Sequence, residues 1–465
     1  MKLLQMAVLA MVLFVGSNAH ALTINVLATD TITAKLATGR PGGLPALSGD
    51  TLVIFGAHVE NVHLANGLNN ITFIGAKGNS WDGTTAGSGP GNPGNCLDGV
   101  GTNNGIVVQG INFQNGLTHI ALTGNLCKVL YCTFRNASVG SIIISGDQST
   151  VTGNVITNSG GGDSIGITGG GSASPNVTCT SNQIIGSTFN GINIASNNVV
   201  CTSNVVNLCG SQGGPNFGDI DVSGDSAKVM SNAVYSCQTN GIAVSGQSMT
   251  VTSNTVLYCQ GGLKLSSSGN TMTVKSNNIQ RIATDGITIT DGTGNGGTIQ
   301  GNFAYYCNGS GFIINGATPA STTLFLTSNA TFNSQGFSIA GDFNSITSCT
   351  ATSVWGAGFT ITGAHNVMTS SGTNICAGNG IVVTTGTGNI LNKVFAYTTT
   401  GQGLDNEAPG TMVTGSSFVA NRINVSLSLA PLPVGTFAIY SGNNPVGVPA
   451  GPGTGATAWP VPQIP

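Results

Sequence analysis

VCTSNVV, at Val200–Val206, reads as two short strands around a turn. The phrase returns as KVMSNAV (Lys228–Val234), VTSNTV (Val251–Val256) and TVKSNNI (Thr273–Ile279). Between these stands a second phrase, opened by glycine: Gly191-Ile192-Asn193-Ile194, Gly241-Ile242-Ala243-Val244, Gly262-Leu263-Lys264-Leu265, Gly286-Ile287-Thr288-Ile289 and Gly311-Phe312-Ile313-Ile314. Gly218-Asp219-Ile220-Asp221-Val222 fits with one residue inserted. Asn182, Asn204, Asn232, Asn254, Asn277, Asn302 and Asn329 fall 22 to 28 residues apart. A fixed period in the twenties means a solenoid.

The apolar positions alternate with period two, and they are Ile, Val and Phe rather than a leucine frame. Gly, Asn and Ser punctuate them every few residues. That leaves no helix in the repeat and predicts about three short strands per coil, each coil stacking on the last at about 4.8 Å. The expected fold is all-β: a single-stranded parallel β-helix of about fourteen coils, a rod on the order of 65 Å long.

On these residues the chain resembles the right-handed parallel β-helix, or pectin lyase-like, superfamily over roughly residues 50–425. The S-N phrase resembles its asparagine ladder, in which one turn stacks Asn on Asn; an Asn tolerates left-handed backbone and its amide both donates and accepts. The resemblance implies fold more than function, because this scaffold hosts many activities.

The chain divides as follows. Residues 1–21 read as a secretory signal peptide: Lys2, an apolar run from Met6 to Gly16, and Ala19-His20-Ala21 as cleavage site. The run is too short to span a membrane, so a secreted or cell-surface protein without a membrane span is expected. Residues 22–47 lack the repeat and are expected to cap the first coil, whose open edge needs cover. The β-helix is expected over 48–425, with Ser80–Asn104 as a Gly/Pro/Asn-rich insertion, a loop projecting from one coil. Residues 426–465 form a Pro/Gly-rich cap or tail.

The net charge is −3, and only 6% of residues are charged. No basic aromatic-rich patch exists, which argues against a nucleic-acid partner. Cys209, Cys237, Cys259 and Cys307 each follow a ladder Asn by five residues, and Ser159, Ser187 and Ser334 fill the same column. Cys179 and Cys201 share another. Such columns predict mostly unpaired, buried thiols, with one or two bridges between neighbours left open. No C-x-x-C pair suggests a metal centre.

In enzymes of the resembled superfamily the substrate groove follows one sheet. The matching surface here is the outward residue of each glycine-led strand, read as Thr168, Asn193, Asp221, Ala243, Lys264, Thr288, Ile313, Ser338, Thr360 and Val382. The loop side adds Asp163, Asn190, Asp219, Asn240, Arg281, Asp285 and Gln335. In a chain so poor in charge, Asp219, Asp221, Lys264, Arg281 and Asp285 gather on four coils, with Asp225 just beyond. Lyase chemistry would use Asp219, Asp221 and Asp225 to hold Ca²⁺, with Lys264 or Arg281 as base. Hydrolysis needs two carboxylates, for which Asp221 and Asp285 are the tempting pair. Asn193, Asn240 and Thr288 are candidate substrate contacts.

Asp285 sits in ATDGITI, which resembles part of the polygalacturonase N-T-D motif, but Ala283 stands where Asn belongs and the rest of that pattern is absent. Pectate lyase, pectin methylesterase and alginate epimerase signatures are absent too. Surface charge for solubility is the plainer explanation of the cluster, and a local Arg281–Asp285 pair would be worth little. The T-x-T runs before the ladder turns read as ordinary β-propensity. The expected function is an exported β-helix that binds, and in one version cleaves, a polysaccharide or glycan along its side. The alternative is a non-catalytic, adhesin-like rod.

Overall fold

The computed structural model describes residues 21–445 except 84–93, 100, 170–175, 211–217, 268–271, 292–296, 317–323, 332, 420, 422, 428–438 and 442–443. The expected signal peptide lies outside the described residues save Ala21, as does most of the C-terminal tail.

Each coil contributes three strands. Val200–Thr202, Lys228–Met230 and Thr250–Thr252 stack in a first parallel sheet. Val205–Asn207, Ala233–Tyr235 and Thr255–Leu257 stack in a second. The glycine-led strands Ile192–Ala195, Gly218–Ser223, Asn240–Gly246 and Gly261–Ser267 form the third. The result is a right-handed parallel β-helix of about fourteen turns. Strands are short because a left-handed residue ends them, Ser203 after Val200–Thr202 and Leu208 after Val205–Asn207; within each, Ile and Val at alternate positions face the core. In the first sheet Cys201 stands where the following coils have valine, and it is buried like its register partner Val229 and like Val251 beyond. Like side chains stack along the axis: Phe312, Phe337 and Phe359 lie nearly parallel at 4.7 and 4.5 Å.

The turn between the first and second sheets carries the ladder. Asn154, Asn182, Asn204, Asn232, Asn254, Asn277 and Asn302 are buried, and each Nδ2 donates to the next Oδ1 at 2.8–3.0 Å. The left-handed residue is not the Asn but the serine before it: Ser181, Ser203, Ser231, Ser253 and Ser276 have φ of 54–57°. Asn is used here for its amide, not its backbone tolerance. A register shift follows: Asn302 pairs with Ser328 and Phe303 with Asn329, so in backbone register Asn329 stands one residue past Asn302. Asn333, not Ser334, then follows Cys307 in its column, its Oδ1 accepting from Cys307 N at 2.8 Å.

The entry segment adds a strand, Thr23–Val26, paired in parallel with Thr51–Ile54. A short helix, Ile32–Thr38, follows, capped by Thr31 and burying Ile32. Glu60 accepts from Ile32 N and Thr33 N at the helix start. Asp50 binds Leu22 N, Leu47 N and Arg40, tying the segment to the first full coil. Among the described residues no helix is long and apolar enough to cross a membrane.

All eleven cysteines are described. Cys237 and Cys259, neighbours in their column, form a disulfide, and the other nine are buried free thiols. Burial pushes Cys209, Cys132 and Cys307 up to about 12, and the neighbouring Cys201, together with burial, raises Cys179.

Candidate functional site

The third sheet presents one outward column in continuous register: Gly166, Asn193, Asp221, Ala243, Lys264, Thr288, Ile313. Thr168 is not in it; it pairs with Ala195, two residues further along. The glycine before these strands faces inward, and a Cβ at Gly262 would overlap the Gly286 carbonyl oxygen. Just ahead of that glycine stands a second column, in which Gly218, Asn240 and Gly261 are register partners and Asp163, Asn190 and Asp285 hold the same place. A side chain there reaches the outward column of the next coil. Asn193 Nδ2 donates to Asp163 Oδ2 at 2.8 Å, and Asn379 Nδ2 donates to Asp405 Oδ2 at 3.0 Å. The two columns therefore form one polar strip along the axis. Asn193, Asp221, Lys264, Thr288, Asn240 and Asp285 all lie on it.

Three aspartates stand near its start. Asp163 is half-buried, held by Asn193 and by Asn190 N at 3.2 Å, and desolvation raises its pKa despite those bonds. Asp221 stands next to Asn193 on the other side. Desolvation, with the charge of Asp163, pushes it up to about 6. Asp163 and Asp221 thus flank Asn193, one coil to each side.

Asp219 occupies the inward glycine column, between Gly191 and Gly241, and is fully buried. Its Oδ1 accepts from Thr239 Oγ1 at 3.2 Å, its Oδ2 has no hydrogen-bond partner among the described residues, and desolvation pushes it up to about 8.

This geometry corrects the expected Ca²⁺ site. Asp219 faces the interior, Asp221 faces outward, and Asp225 is exposed at the far end of the strand, its Oδ1 accepting from Gln247 N at 2.8 Å. Successive residues alternate faces, and four residues span about 13 Å. Among the described residues no three His, Cys, Asp or Glu side chains gather around one point.

The pair Asp221 and Asp285 is also separated. Three coils, about 14 Å, lie between them, and Asp285 Oδ1 accepts from Ser310 N at 2.8 Å. Arg281 is not on the strip, nor does it pair with Asp285. It sits at the corner between the second and third sheets, its guanidinium carbon 5.2 Å from the centre of the Tyr258 ring.

Asp163 is the residue hardest to place from sequence. Its coil has Ser164 where most have glycine, and glycine at 166 instead, so the repeat is misread there by two residues. The signal is the shared spacing to the next buried Ile: Asp163-Ser164-Ile165 matches Asn190-Gly191-Ile192. Trp81 is buried in the core, with Nε1 bonded to Glu60 O, whereas Trp355 is 76% exposed.

The right-handed β-helix region family model matches residues 216–341. No curated protein matches the sequence. Among solved structures, the siphovirus 9NA tailspike receptor-binding domain is similar at 12% identity, covering 94% of this chain and 78% of that one, with a TM-score of 0.31. The catalytic domain of a GH87 α-1,3-glucanase in complex with nigerose gives 10%, 77%, 66% and 0.26 for the same four quantities. A mannuronic acid-specific polysaccharide family 6 lyase from human gut microbiota gives 12%, 91%, 91% and 0.27. At these identities and TM-scores no residue role passes from them to this chain.

Proposed function

We propose that the protein is an exported β-helix that binds a polysaccharide or glycan along the polar strip of its third sheet. The observation that carries this reading is the strip itself. Amide, hydroxyl and carboxylate groups are fixed at the coil spacing on a rigid sheet, matched to a long polymer of repeated hydroxyls. Asn193, Asn240 and Thr288 are its neutral contacts, and Lys264 its cation.

The chemistry the strip supports best is general acid–base hydrolysis by Asp163 and Asp221. A hydrolase needs one protonated and one ionised carboxyl. Two coils separate these residues, and Asp163 leans toward Asn193 in the coil between. That brings the carboxyls toward the separation of roughly 6.5–9.5 Å used for attack by water with inversion. The raised pKa values keep one group protonated in mild acid. Ca²⁺-assisted elimination has no comparable support, because its three aspartates point apart.

The test is a panel of anionic and neutral polysaccharides, with calcium or with chelator, followed for binding, unsaturated product and reducing ends. Hydrolysis predicts reducing ends alone, unaffected by chelator, falling as pH rises above about 6. Asp163→Asn and Asp221→Asn should each lower the rate about a hundredfold or more, with unchanged circular dichroism. Calcium-dependent unsaturated product would overturn it.

One observation favours the non-catalytic rod. The Asn379–Asp405 bond repeats the Asp163–Asn193 contact at the other end of the helix, so the contact also serves simply to link coils. Binding without product for any polymer that binds would select this second reading.

A further inference from the structure

The corner between the second and third sheets requires a left-handed residue in coil after coil. Asn115, Asn136, Asn158, Ser236 and Ser353 hold it with φ of 43–57°, and Gly186 takes it at 76°. Small polar residues and glycine suit that backbone, while bulky ones oppose it. Yet Tyr258, Arg281 and Tyr306 occupy the corner in three consecutive coils, at φ of 60°, 55° and 54°. Leu208 and Ile375, at 57° and 59°, are exposed at the same corner further along on either side, beyond Ser236 and Ser353. Tyr258 is 54% and Tyr306 46% exposed; Tyr306 meets the ring of Tyr305 edge-on at 4.2 Å and Tyr258 meets Arg281, so about half of each tyrosine faces solvent at a backbone position that opposes bulk. Strained backbone that presents large side chains to solvent points to function.

The exposed Trp355 extends the pattern. It lies in the turn leading from the same corner to the third sheet, two coils beyond Tyr306. Tyr258, Tyr306 and Trp355 therefore mark alternate coils, about 10 Å apart along the axis, a spacing comparable with a disaccharide. Arg281 stands between the first two rings, makes no ion pair among the described residues, and lies against the Tyr258 face. Only a short turn separates this edge from the polar strip: Tyr258 is three residues before Gly261, and Arg281 four before Asp285.

We infer that Tyr258, Arg281, Tyr306 and Trp355 form an aromatic ladder that holds an acidic polysaccharide chain parallel to the β-helix axis. The inference rests on the glycan reading above and adds to it the binding edge and the sign of the ligand's charge. Sugar rings present apolar C–H faces that pack on exposed aromatic rings. The guanidinium of Arg281 binds a carboxylate in two-pronged fashion without leaving the ring it stacks on.

The experiment is affinity electrophoresis and calorimetry with polygalacturonate and with a neutral β-glucan. Proteins compared are the wild type, Tyr258→Asn/Tyr306→Asn, Trp355→Ala, Arg281→Gln, and the strip variant Asn193→Ala/Thr288→Ala. The Asn replacements suit the left-handed corner, so thermal stability should hold or rise while polygalacturonate affinity falls about tenfold. Arg281→Gln should weaken polygalacturonate severalfold, flatten its salt dependence, and leave the neutral polymer unchanged. Ladder variants that bind like wild type, while the strip variant loses binding, would overturn the ladder and leave the glycan reading intact. Absence of binding by the wild type would overturn both. Concentration-dependent self-association, abolished by the ladder variants in the absence of sugar, would overturn the ladder in favour of a second copy of the chain.

Discussion

At the scale of single residues, Asp219 shows how much one position can depart from its column. The coils on either side place Gly191 and Gly241 there, and this coil buries a carboxyl with one oxygen unpartnered. Its folded-state pKa, about 8, lies above the ordinary 3.8. Between those values the folded state holds the proton that the unfolded state has lost. Stability is therefore greatest below about pH 4 for this group and falls as pH rises toward 8, at roughly 1.4 kcal/mol per pH unit. Asp219→Asn keeps the shape without the charge. It should flatten the decline in melting temperature between pH 5 and 8 and raise stability at pH 8. A wild-type melting temperature that climbs over that range would contradict the assignment. The ladder offers a second residue-scale check. Asn204 accepts from Asn182 and donates to Asn232 and to the Cys179 carbonyl. Asn204→Ala should cost about 2–3 kcal/mol in chemical denaturation, since buried partners lose their bonds.

At the scale of elements, the glycine-led strands are legible because glycine and alternating Ile or Val repeat in the open. The turn residues are less so. Sequence alone puts Asn at the left-handed position, where serine stands, and misses that large residues hold the matching corner of the next turn. Nothing local marks Tyr258 or Tyr306 as a turn residue; only alignment with Asn136 and Asn158 in space does. The register shift at Asn302 is hidden for a similar reason, because Asn329 keeps the period while the pairing slips by one. Cysteine columns are visible, but which neighbours bond depends on sulfur approach, which spacing alone does not give. Denatured, unreduced protein should titrate nine thiols, and reduced protein eleven. Cys237→Ser should cost about 3 kcal/mol for a loop of 22 residues.

At the scale of the whole molecule, the β-helix is a rod in which each coil is stabilised by its neighbours. Its sides are therefore available for binding without disturbing a central core. Fold is readable from period alone, whereas the candidate site is readable only as a surface. Sequence finds the strip, but it groups the members by residue type rather than by direction, so inward Asp219 and distant Asp285 are joined to Asp221. Direction is set by the pleat, and one inserted or missing residue reverses it.

The central claim is that a glycan lies along the third sheet. Calorimetric titration of a polysaccharide panel into the wild type and into Asn193→Ala/Asp221→Ala/Thr288→Ala tests it most directly. The account predicts that at least one polymer binds the wild type, and that the triple variant loses about tenfold or more in affinity while melting within a few degrees of the wild type. A panel that never binds, or a variant that binds like the wild type, would contradict it.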